Sequence, residues 1–107
     1  HQSEKEKRKF ESLGTPASAE VRQRKLTFIS EIDVRGMRGD EALQAVIYFI
    51  DDAVMVGVAS VRILHGTGTG ALRQLIRQYL NTVSGVIRFR DEHVQFGGAG
   101  ITVVEFE

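Results

Sequence analysis

Residues 61–80, VRILHGTGTGALRQLIRQYL, contain a short apolar strand, a glycine-rich loop and an amphipathic helix in direct succession. The pattern predicts the strand over Val61–His65 and the loop over Gly66–Gly70. The helix that follows carries one apolar stripe, made of Leu72, Leu75, Ile76, Tyr79 and Leu80. Because strands that alternate with helices are typical of α/β proteins, this stretch sets the expected fold class.

On the N-terminal side of this stretch, the pattern predicts one more strand and one more helix. Phe28–Arg35 is predicted to be a strand that ends at Gly36. Asp40 can cap the helix that follows, and Gly57 is a natural stop for it. The apolar residues of this helix repeat at helical spacing and are Leu43, Val46, Ile47, Ile50 and Val54.

Two further strands are predicted on the C-terminal side, over Val86–Arg90 and Ile101–Phe106. They are joined by about ten residues, a span that suits a hairpin better than a crossover. The full order is β-α-β-α-β-β, in which strand–helix–strand units predict parallel neighbours joined by right-handed crossovers. We therefore expect an α/β two-layer sandwich, with two helices on a four-stranded mixed sheet. If both helices lie on one face, Arg88 and Arg90 could face solvent on the other.

The composition is that of an ordinary small globular domain. The chain has 107 residues, of which 42% are hydrophobic and 26% charged, enough for one domain and not for two. It has no cysteine, which excludes disulfides and thiolate metal sites and suits a reducing cytoplasm. Since it shows no signal peptide and no apolar run of spanning length, we expect a cytoplasmic protein without a membrane partner. Because it does not begin with methionine, we expect a piece of a longer protein.

Charge is distributed unevenly along the chain, although the formal net charge is zero. Residues 1–30 contain seven basic and four acidic side chains, which makes this segment +3 and the remainder −3. The segment also contains the helix breakers Gly14 and Pro16. Residues 1–29 are therefore predicted to be a charged flexible linker that precedes a domain over 30–107. Every basic residue after position 30 is an arginine, which suits bidentate phosphate contacts better than lysine does, unless arginine is simply this organism's habit.

The first candidate site is Ile32-Asp33-Val34-Arg35-Gly36, at the end of the first predicted strand. Residues two apart on a strand share a face, so Asp33 and Arg35 are expected side by side. The carboxylate could hold a water molecule, act as a general base or bind a metal, and the arginine could hold a phosphate. The alternative is a structural ion pair in which Asp33 caps a turn.

The second candidate site is His65-Gly66-Thr67-Gly68-Thr69-Gly70. Glycines let backbone N–H groups approach an anion closely, and the N-terminus of the following helix adds a favourable dipole. Because the loop lacks the Gly-Lys-Ser/Thr ending of nucleotidase phosphate loops and the full dinucleotide spacing, a phosphodiester backbone would suit it better. His65 could donate a hydrogen bond to phosphate or transfer a proton. The alternative is a tight turn with a satisfied structural histidine.

The third candidate site is the small-residue loop Gly97-Gly98-Ala99-Gly100-Ile101-Thr102. Such a loop could let a ligand come close to the backbone, or it could be a flexible hairpin. In a parallel strand pair, Arg35-Gly36 and His65-Gly66 lie at the same edge of the sheet. Ligands of α/β sheets bind at that edge, so the first two sites are expected to form one.

Two weaker candidates remain. Arg73 and Arg77 are four residues apart and are expected on the outer face of the second helix, where they could follow a phosphate backbone or be merely solvated. Asp91-Glu92-His93 contains residue types that bind metals. Three adjacent loop residues seldom converge on one ion, so this segment is predicted to be a solvated loop.

Together, the three motifs resemble those of the Smr (small MutS-related) family. Residues 32–36 are similar to that family's leucine-aspartate-leucine-histidine/arginine-glycine motif, residues 65–70 resemble its histidine-glycine-x-glycine signature, and residues 97–102 resemble its late glycine-rich motif. The resemblance covers about residues 31–107, with the motifs in the family's order. The arginine form of the first motif looks like the domain that ends the second bacterial MutS paralogue, where a linker of this kind would precede it.

The resemblance implies a fold like the C-terminal domain of bacterial translation initiation factor three. It also implies endonuclease activity on DNA or RNA, within a larger MutS-like ATPase that acts in recombination suppression or ribosome rescue and forms oligomers through the parent chain. Two departures bear on this: RNA-cleaving members often have histidine where Arg35 stands, and Thr67 replaces the usual basic residue of the loop. The alternative is a non-catalytic module that docks the parent protein on nucleic acid or the ribosome.

On this reading the catalytic residues would be Asp33, Arg35 and His65. Asp33 would position the nucleophile or a divalent metal such as Mg or Mn, and Arg35 would neutralise the phosphate. The expected nucleic-acid contacts are Gly66, Thr67, Gly68, Thr69, Gly70, Arg73, Arg77, Gly97, Gly98 and Gly100.

Overall fold

The computed structural model describes residues 28–107, which follow the predicted order of strands and helices. The elements are β1 (Glu31–Asp33), α1 (Gly39–Val56), β2 (Ser60–Leu64), α2 (Ala71–Leu80), β3 (Val86–Asp91) and β4 (Ile101–Phe106). β1 is shorter than the strand predicted over Phe28–Arg35. The linker predicted over 1–29 lies outside the described residues, except for Phe28 and Ile29. Within residues 28–107, neither helix has the length and hydropathy of a membrane span.

The four strands form one mixed sheet in the order β1-β2-β4-β3. β1 and β2 are parallel, with Ile32 opposite Ile63, whereas β4 is antiparallel to both β2 and β3. The predicted hairpin of the last two strands is therefore confirmed. The expectation that β2 and β3 would be neighbours is wrong, because β4 folds back between them. As a central strand, β4 is buried along Ile101–Val104.

α1 begins without a side-chain cap. Arg38 occupies the N-cap position and makes no capping hydrogen bond with its side chain, although its Nε lies 3.7 Å from the Asp40 Oδ1. Asp40, the predicted cap, lies in the first turn, where it accepts a 2.9 Å hydrogen bond from the Glu41 N–H. Its negative charge there interacts favourably with the positive end of the helix dipole. Gly57 ends the helix as predicted, with a left-handed φ of 85° and an N–H that bonds the carbonyl of Ala53.

The core lies between the two helices and one face of the sheet. Its fully buried members include Ala42, Val46, Ile50, Ala53, Val61, Ile63, Ile76, Leu80 and Val104. The apolar stripe of α1 is rotated from the predicted one, since Ala42 and Ala53 are buried while Val54 is 47% exposed. Phe28 stacks on Phe49 of α1, with ring centroids 5.5 Å apart, so packing extends to the first described residue.

The opposite face of the sheet carries arginines, as expected for Arg88 and Arg90. Phe89 packs on the core, so its two neighbours point away from the helices. Each arginine of this face pairs with carboxylates: Arg62 with Glu31 and Glu92, and Arg88 and Arg90 with Glu105. Arg62 also donates a 3.0 Å hydrogen bond to the Phe96 carbonyl. The contacts of Arg62 with Glu92 and Phe96 fasten the β3–β4 connection to the sheet.

Candidate functional site

The carboxyl ends of β1 and β2 meet at one edge of the sheet, as a parallel pair requires. The N–H of Val34 donates a 2.9 Å hydrogen bond to the carbonyl of Leu64, which brings the residues that follow both strands together. An open cleft of about 390 Å³ forms there. Its lining residues are Arg35, Gly36, Met37 and His65–Leu72. The structure thus joins the first two sequence motifs in one place.

The loop between β2 and α2 presents unpaired backbone donors to this cleft. It turns through Gly66, Gly68 and Gly70 at φ values of 81°, 40° and 84°, which glycine adopts without steric cost. The N–H groups of residues 67–69 donate no hydrogen bond to any atom of residues 28–107. Together with the unpaired N–H groups that open a helix, they can bind an anion.

Gly100 ties the β3–β4 connection to this loop. Its carbonyl oxygen accepts hydrogen bonds from the N–H groups of His65 at 3.1 Å and Gly66 at 2.9 Å. The predicted contacts Gly97 and Gly98 are not among the residues that line the cleft. Gly97 instead packs on Ile101, where a Cβ would lie 2.3 Å from the Ile101 Cδ1. The third motif therefore contacts the loop through Gly100, and its glycines do not themselves line the cleft.

Asp33 and Arg35 form a bidentate ion pair beside the cleft. Arg35 donates from Nε to Oδ1 at 2.9 Å and from Nη2 to Oδ2 at 2.7 Å, and its backbone N–H also bonds Oδ1 at 3.0 Å. These hydrogen bonds lower the pKa of Asp33 to about 2 and raise the pKa of Arg35. The side chains of Asp33 and Arg35 are 49% and 59% exposed, so an incoming ligand can reach both.

His65 borders the cleft but is nearly buried, since the residue is only 5% exposed. Its Nδ1 is 2.8 Å from the carbonyl oxygen of Gly66, and its Nε2 is 2.7 Å from the Thr102 hydroxyl. Burial, together with the nearby charge of Arg77, lowers the pKa of His65. Because both ring nitrogens are engaged inside the protein, the geometry favours the structural alternative for His65 over direct contact with a phosphate.

Arg77 faces the sheet, so the expectation that Arg73 and Arg77 share the outer face of α2 is wrong. Arg77 donates from Nη2 to Asp91 at 2.7 Å and from Nε to Thr102 at 3.1 Å. Its guanidinium lies 5.3 Å from the centroid of the Phe89 ring, and only 19% of its side chain is exposed. Arg73 bonds the same carboxylate of Asp91 at 2.9 Å and is 38% exposed.

Two residues of this network, Asp91 and Thr102, belong to the Asp91-Glu92-His93 segment and to the third sequence motif, but neither is among the catalytic or nucleic-acid-binding residues predicted from the sequence. Asp91 ends β3 opposite Thr102 on β4, and the hydrogen bond from Arg73 lowers its pKa. One signal for Thr102 does exist in the sequence. It alternates with Val104 and Phe106 on the core-facing side of β4, where a hydroxyl needs a partner.

The described side chains do not fit a divalent cation held by the protein alone. Mg²⁺ is usually bound by one or two carboxylates, together with water and substrate oxygens. Asp33 lies two residues before Arg35, which lines the cleft, and both of its oxygens accept from Arg35. Among residues 28–107, no three His, Cys, Asp or Glu side chains are grouped as metal ligands. The Mg or Mn ion that the sequence leaves open therefore has no ready set of ligands in this part of the chain.

Comparison with known sequences places the motifs within one family. A family model described as the Smr domain matches residues 32–107. Endonuclease MutS2 of Geobacillus kaustophilus is 46% identical over 77 residues, which are 72% of this chain and 10% of that protein. Endonuclease MutS2 of Staphylococcus epidermidis is 38% identical over 104 residues, which are 97% of this chain and 13% of that protein. The chain thus spans about a tenth of the length of these curated relatives.

Comparison with solved structures supports the same grouping. The Smr domain of Thermus thermophilus MutS2 matches with a TM-score of 0.70 and 42% identity, covering 74% of this chain and 99% of that one. YdaL, a stand-alone small MutS-related protein from Escherichia coli, matches with a TM-score of 0.70 and 20% identity over 81% of this chain and 74% of its own. The second likeness is one of fold alone. The predicted two helices on a four-stranded mixed sheet match the fold of a solved Smr domain.

Proposed function

Because this chain belongs to the Smr domain family, we propose that it is a nucleic-acid-binding domain with nicking endonuclease activity. The observation that carries the proposal is the row of unpaired N–H groups at residues 67–69, which lies beside the exposed Asp33–Arg35 pair. The MutS2 relatives are named endonucleases, and this chain would serve as one domain of a similar, longer protein.

The cleft is suited to a phosphate of the nucleic-acid backbone. The N–H groups of residues 67–69 and the N-terminus of α2 favour an anion, and Arg35 lines the same cleft. Contacts to phosphate position a protein on nucleic acid but carry no sequence information. We therefore expect binding with little sequence preference and an affinity that falls linearly with the logarithm of salt concentration.

Positive charge at the cleft is limited because the arginines are already paired. Each of the seven arginines in residues 28–107 lies between 2.6 and 3.7 Å from a carboxylate oxygen. Arg73 and Arg77 share the single carboxylate of Asp91, so this group keeps a net positive charge. Arg35 is the one arginine paired with Asp33 in residues 28–107. To bind a phosphate, it would exchange the Asp33 carboxylate for the phosphate oxygens.

That exchange would also activate Asp33. Without the hydrogen bonds from Arg35 that lower its pKa, the Asp33 carboxylate becomes a stronger base. It could then orient a water molecule whose oxygen bonds to phosphorus while the bond from phosphorus to a bridging oxygen breaks. The proton released by the water would reach the leaving oxygen through solvent, and Arg35 would stabilise the charge that builds on the phosphate.

A second function, binding without cleavage, is favoured by the small number of reactive groups at the site. Asp33 is the one carboxylate of the first motif, and His65 is buried with both nitrogens bonded. In that case the domain would dock its parent protein on DNA, RNA or a ribosome. Any role in DNA repair, recombination suppression or ribosome rescue would then lie with the parent protein.

Nicking of supercoiled plasmid and of single-stranded RNA, measured with and without a chelator, separates the two functions. Arg35→Gln is the test variant, and Arg38→Gln is its control, since Arg38 is highly exposed and does not line the cleft. Loss of a charged hydrogen-bond donor should weaken binding by about tenfold in Arg35→Gln and abolish nicking. Arg38→Gln should behave like the wild type. If the two variants bind equally well, Arg35 is not a phosphate ligand.

A further inference from the structure

A continuous chain of hydrogen bonds runs behind the cleft, from α2 through β4 to the loop. The Arg77 Nε donates to the Thr102 hydroxyl at 3.1 Å. That hydroxyl lies 2.7 Å from the His65 Nε2, and the His65 Nδ1 lies 2.8 Å from the carbonyl oxygen of Gly66. Thr102 is fully buried and His65 is 5% exposed, so water does not compete for these groups.

The position of each proton in these hydrogen bonds follows from which groups can donate and which can accept. A carbonyl oxygen only accepts, so the His65 Nδ1 must carry a proton. A guanidinium only donates, so the Thr102 oxygen accepts from Arg77. The buried hydroxyl proton of Thr102 then needs an acceptor, and of its two hydrogen-bond partners only the His65 Nε2 can accept. His65 is therefore neutral, with its single ring proton on Nδ1.

This hydrogen bond fixes the orientation of one peptide group in the loop. The peptide between Gly66 and Thr67 is trans, so its C=O and N–H point in opposite directions. His65 holds the Gly66 C=O on the buried side of the loop. The N–H of Thr67 therefore faces the opposite side, toward the cleft, which Thr67 lines. The left-handed φ of Gly66, 81°, allows the peptide to take this orientation.

We propose that Thr102 is a positioning residue for the cleft, whose hydroxyl acts through His65 to aim the Thr67 N–H at a bound phosphate. Asp91 supports the far end of the chain, because it holds Arg77 at 2.7 Å. The inference rests on the proposed function, since a backbone phosphate is the ligand that the oriented N–H would serve. On this proposal, Thr102, a buried residue of β4, contributes to ligand recognition without contacting the ligand.

The test compares variants that separate the hydroxyl from the shape of the side chain. Thr102→Val removes the hydroxyl and keeps the shape, whereas Thr102→Ser keeps the hydroxyl. Thr82→Val is the matched control, because it removes a hydroxyl that donates to the Tyr79 carbonyl at 2.7 Å, at the end of α2 far from the loop. All are made in the full 107-residue chain.

Three readouts are taken on each variant. They are the ¹⁵N spectrum of the His65 ring, the response of the Thr67 amide signal to inorganic phosphate, and the affinity for a labelled DNA duplex. In the wild type, the ring proton is on Nδ1 and the Thr67 amide responds to phosphate. Thr102→Val should lose that response and bind the duplex about tenfold more weakly, whereas Thr102→Ser and Thr82→Val should match the wild type.

The proposal is overturned if the His65 proton lies on Nε2 in the wild type, or if Thr102→Val responds and binds like the wild type. If Thr102→Val does not fold, Arg77→Lys, which keeps the charge but lacks the Nε donor, is judged on the same readouts. A wild type that binds no duplex overturns the proposed function instead. The ring proton and the Thr67 response to inorganic phosphate then still decide the positioning role.

Discussion

The backbone N–H of Gly66 donates a 2.9 Å hydrogen bond to the carbonyl oxygen of Gly100, which joins two glycine loops beside the neighbouring strands β2 and β4. The two loops are in contact, since a Cβ at Gly100 would lie at the ordinary van der Waals distance of 3.6 Å from the Gly66 Cα. The β3–β4 connection therefore supports the cleft from behind. Changes in that connection should affect the loop even where they touch no ligand.

Gly97→Ala is expected to destabilise the domain. The φ of Gly97 is 129°, and its Cβ would lie 2.3 Å from the Cδ1 of the buried Ile101. Backbone strain and the displaced side chain should lower the free energy of unfolding by about 1–3 kcal/mol, as measured by chemical denaturation. Gly98→Ala is the control, because Gly98 also has a positive φ, 56°, but its Cβ would meet open space. Equal losses in the two variants would contradict a role for the contact with Ile101.

Gly68→Val is expected to lower nucleic-acid binding and cleavage together. A Cβ at Gly68 meets no atom within 4 Å, so the fold has room for the side chain, but the φ of 40° is strained for a β-branched residue. The side chain would also stand where a phosphate must approach the backbone. Affinity should fall by about tenfold, the value of a charged hydrogen bond. Gly57→Ala is the control, because it strains a left-handed backbone at the C-terminal end of α1. This variant should lose stability without a matching loss of affinity for nucleic acid.

Asp33→Asn is expected to abolish nicking while leaving binding intact or slightly tighter. Loss of a group that acts in the transition state costs rate and not ground-state affinity. The variant also frees Arg35 from its ion pair and removes a negative charge beside the phosphate. Nicking and binding are measured on one preparation. A variant that nicks like the wild type would show that the activity lies elsewhere, and an unfolded one would show that Asp33 is a structural residue.

The stability of the domain is expected to fall as the pH drops below 6.5, the ordinary pKa of histidine. Burial lowers the pKa of His65 in the folded state, so the unfolded chain binds more protons between the folded pKa and 6.5. Stability therefore rises with pH over that interval, and the contribution of His65 is complete above 6.5. Denaturation midpoints across this range should lose the dependence in His65→Gln and keep it in His93→Gln. If the pH dependence of stability persists in His65→Gln, other titratable groups cause it.

The helices, strands and loops follow from the sequence because they depend on local patterns. The apolar stripe of α2 predicts the burial of Ile76 and Leu80, and the glycines of the loop mark a backbone of positive φ. The stripe of α1 is less well predicted. Ala42 and Ala53 are fully buried, but the small side chain of alanine contributes little to the apolar pattern of a sequence.

The strand order and the network behind the cleft do not follow from local patterns. No spacing rule indicates that β4 enters the sheet between β2 and β3, and that insertion is what brings Thr102 to His65. Asp91 joins Arg73 and Arg77 only once β3 and α2 are packed together. The glycine motifs were therefore predictable as a candidate site, whereas the contacts that Thr102 and Asp91 make behind them were not.

Because β4 is the last strand in sequence but lies between β2 and β3, the sheet cannot close until residues 101–106 have left the ribosome. Before that moment, the inner edges of β2 and β3 expose unpaired N–H and C=O groups, which invite pairing with other chains. The domain therefore folds after its own final strand is synthesised, when its long-range pairings form together. A nascent chain halted before residue 101 would remain an incomplete sheet, prone to aggregation and dependent on chaperones.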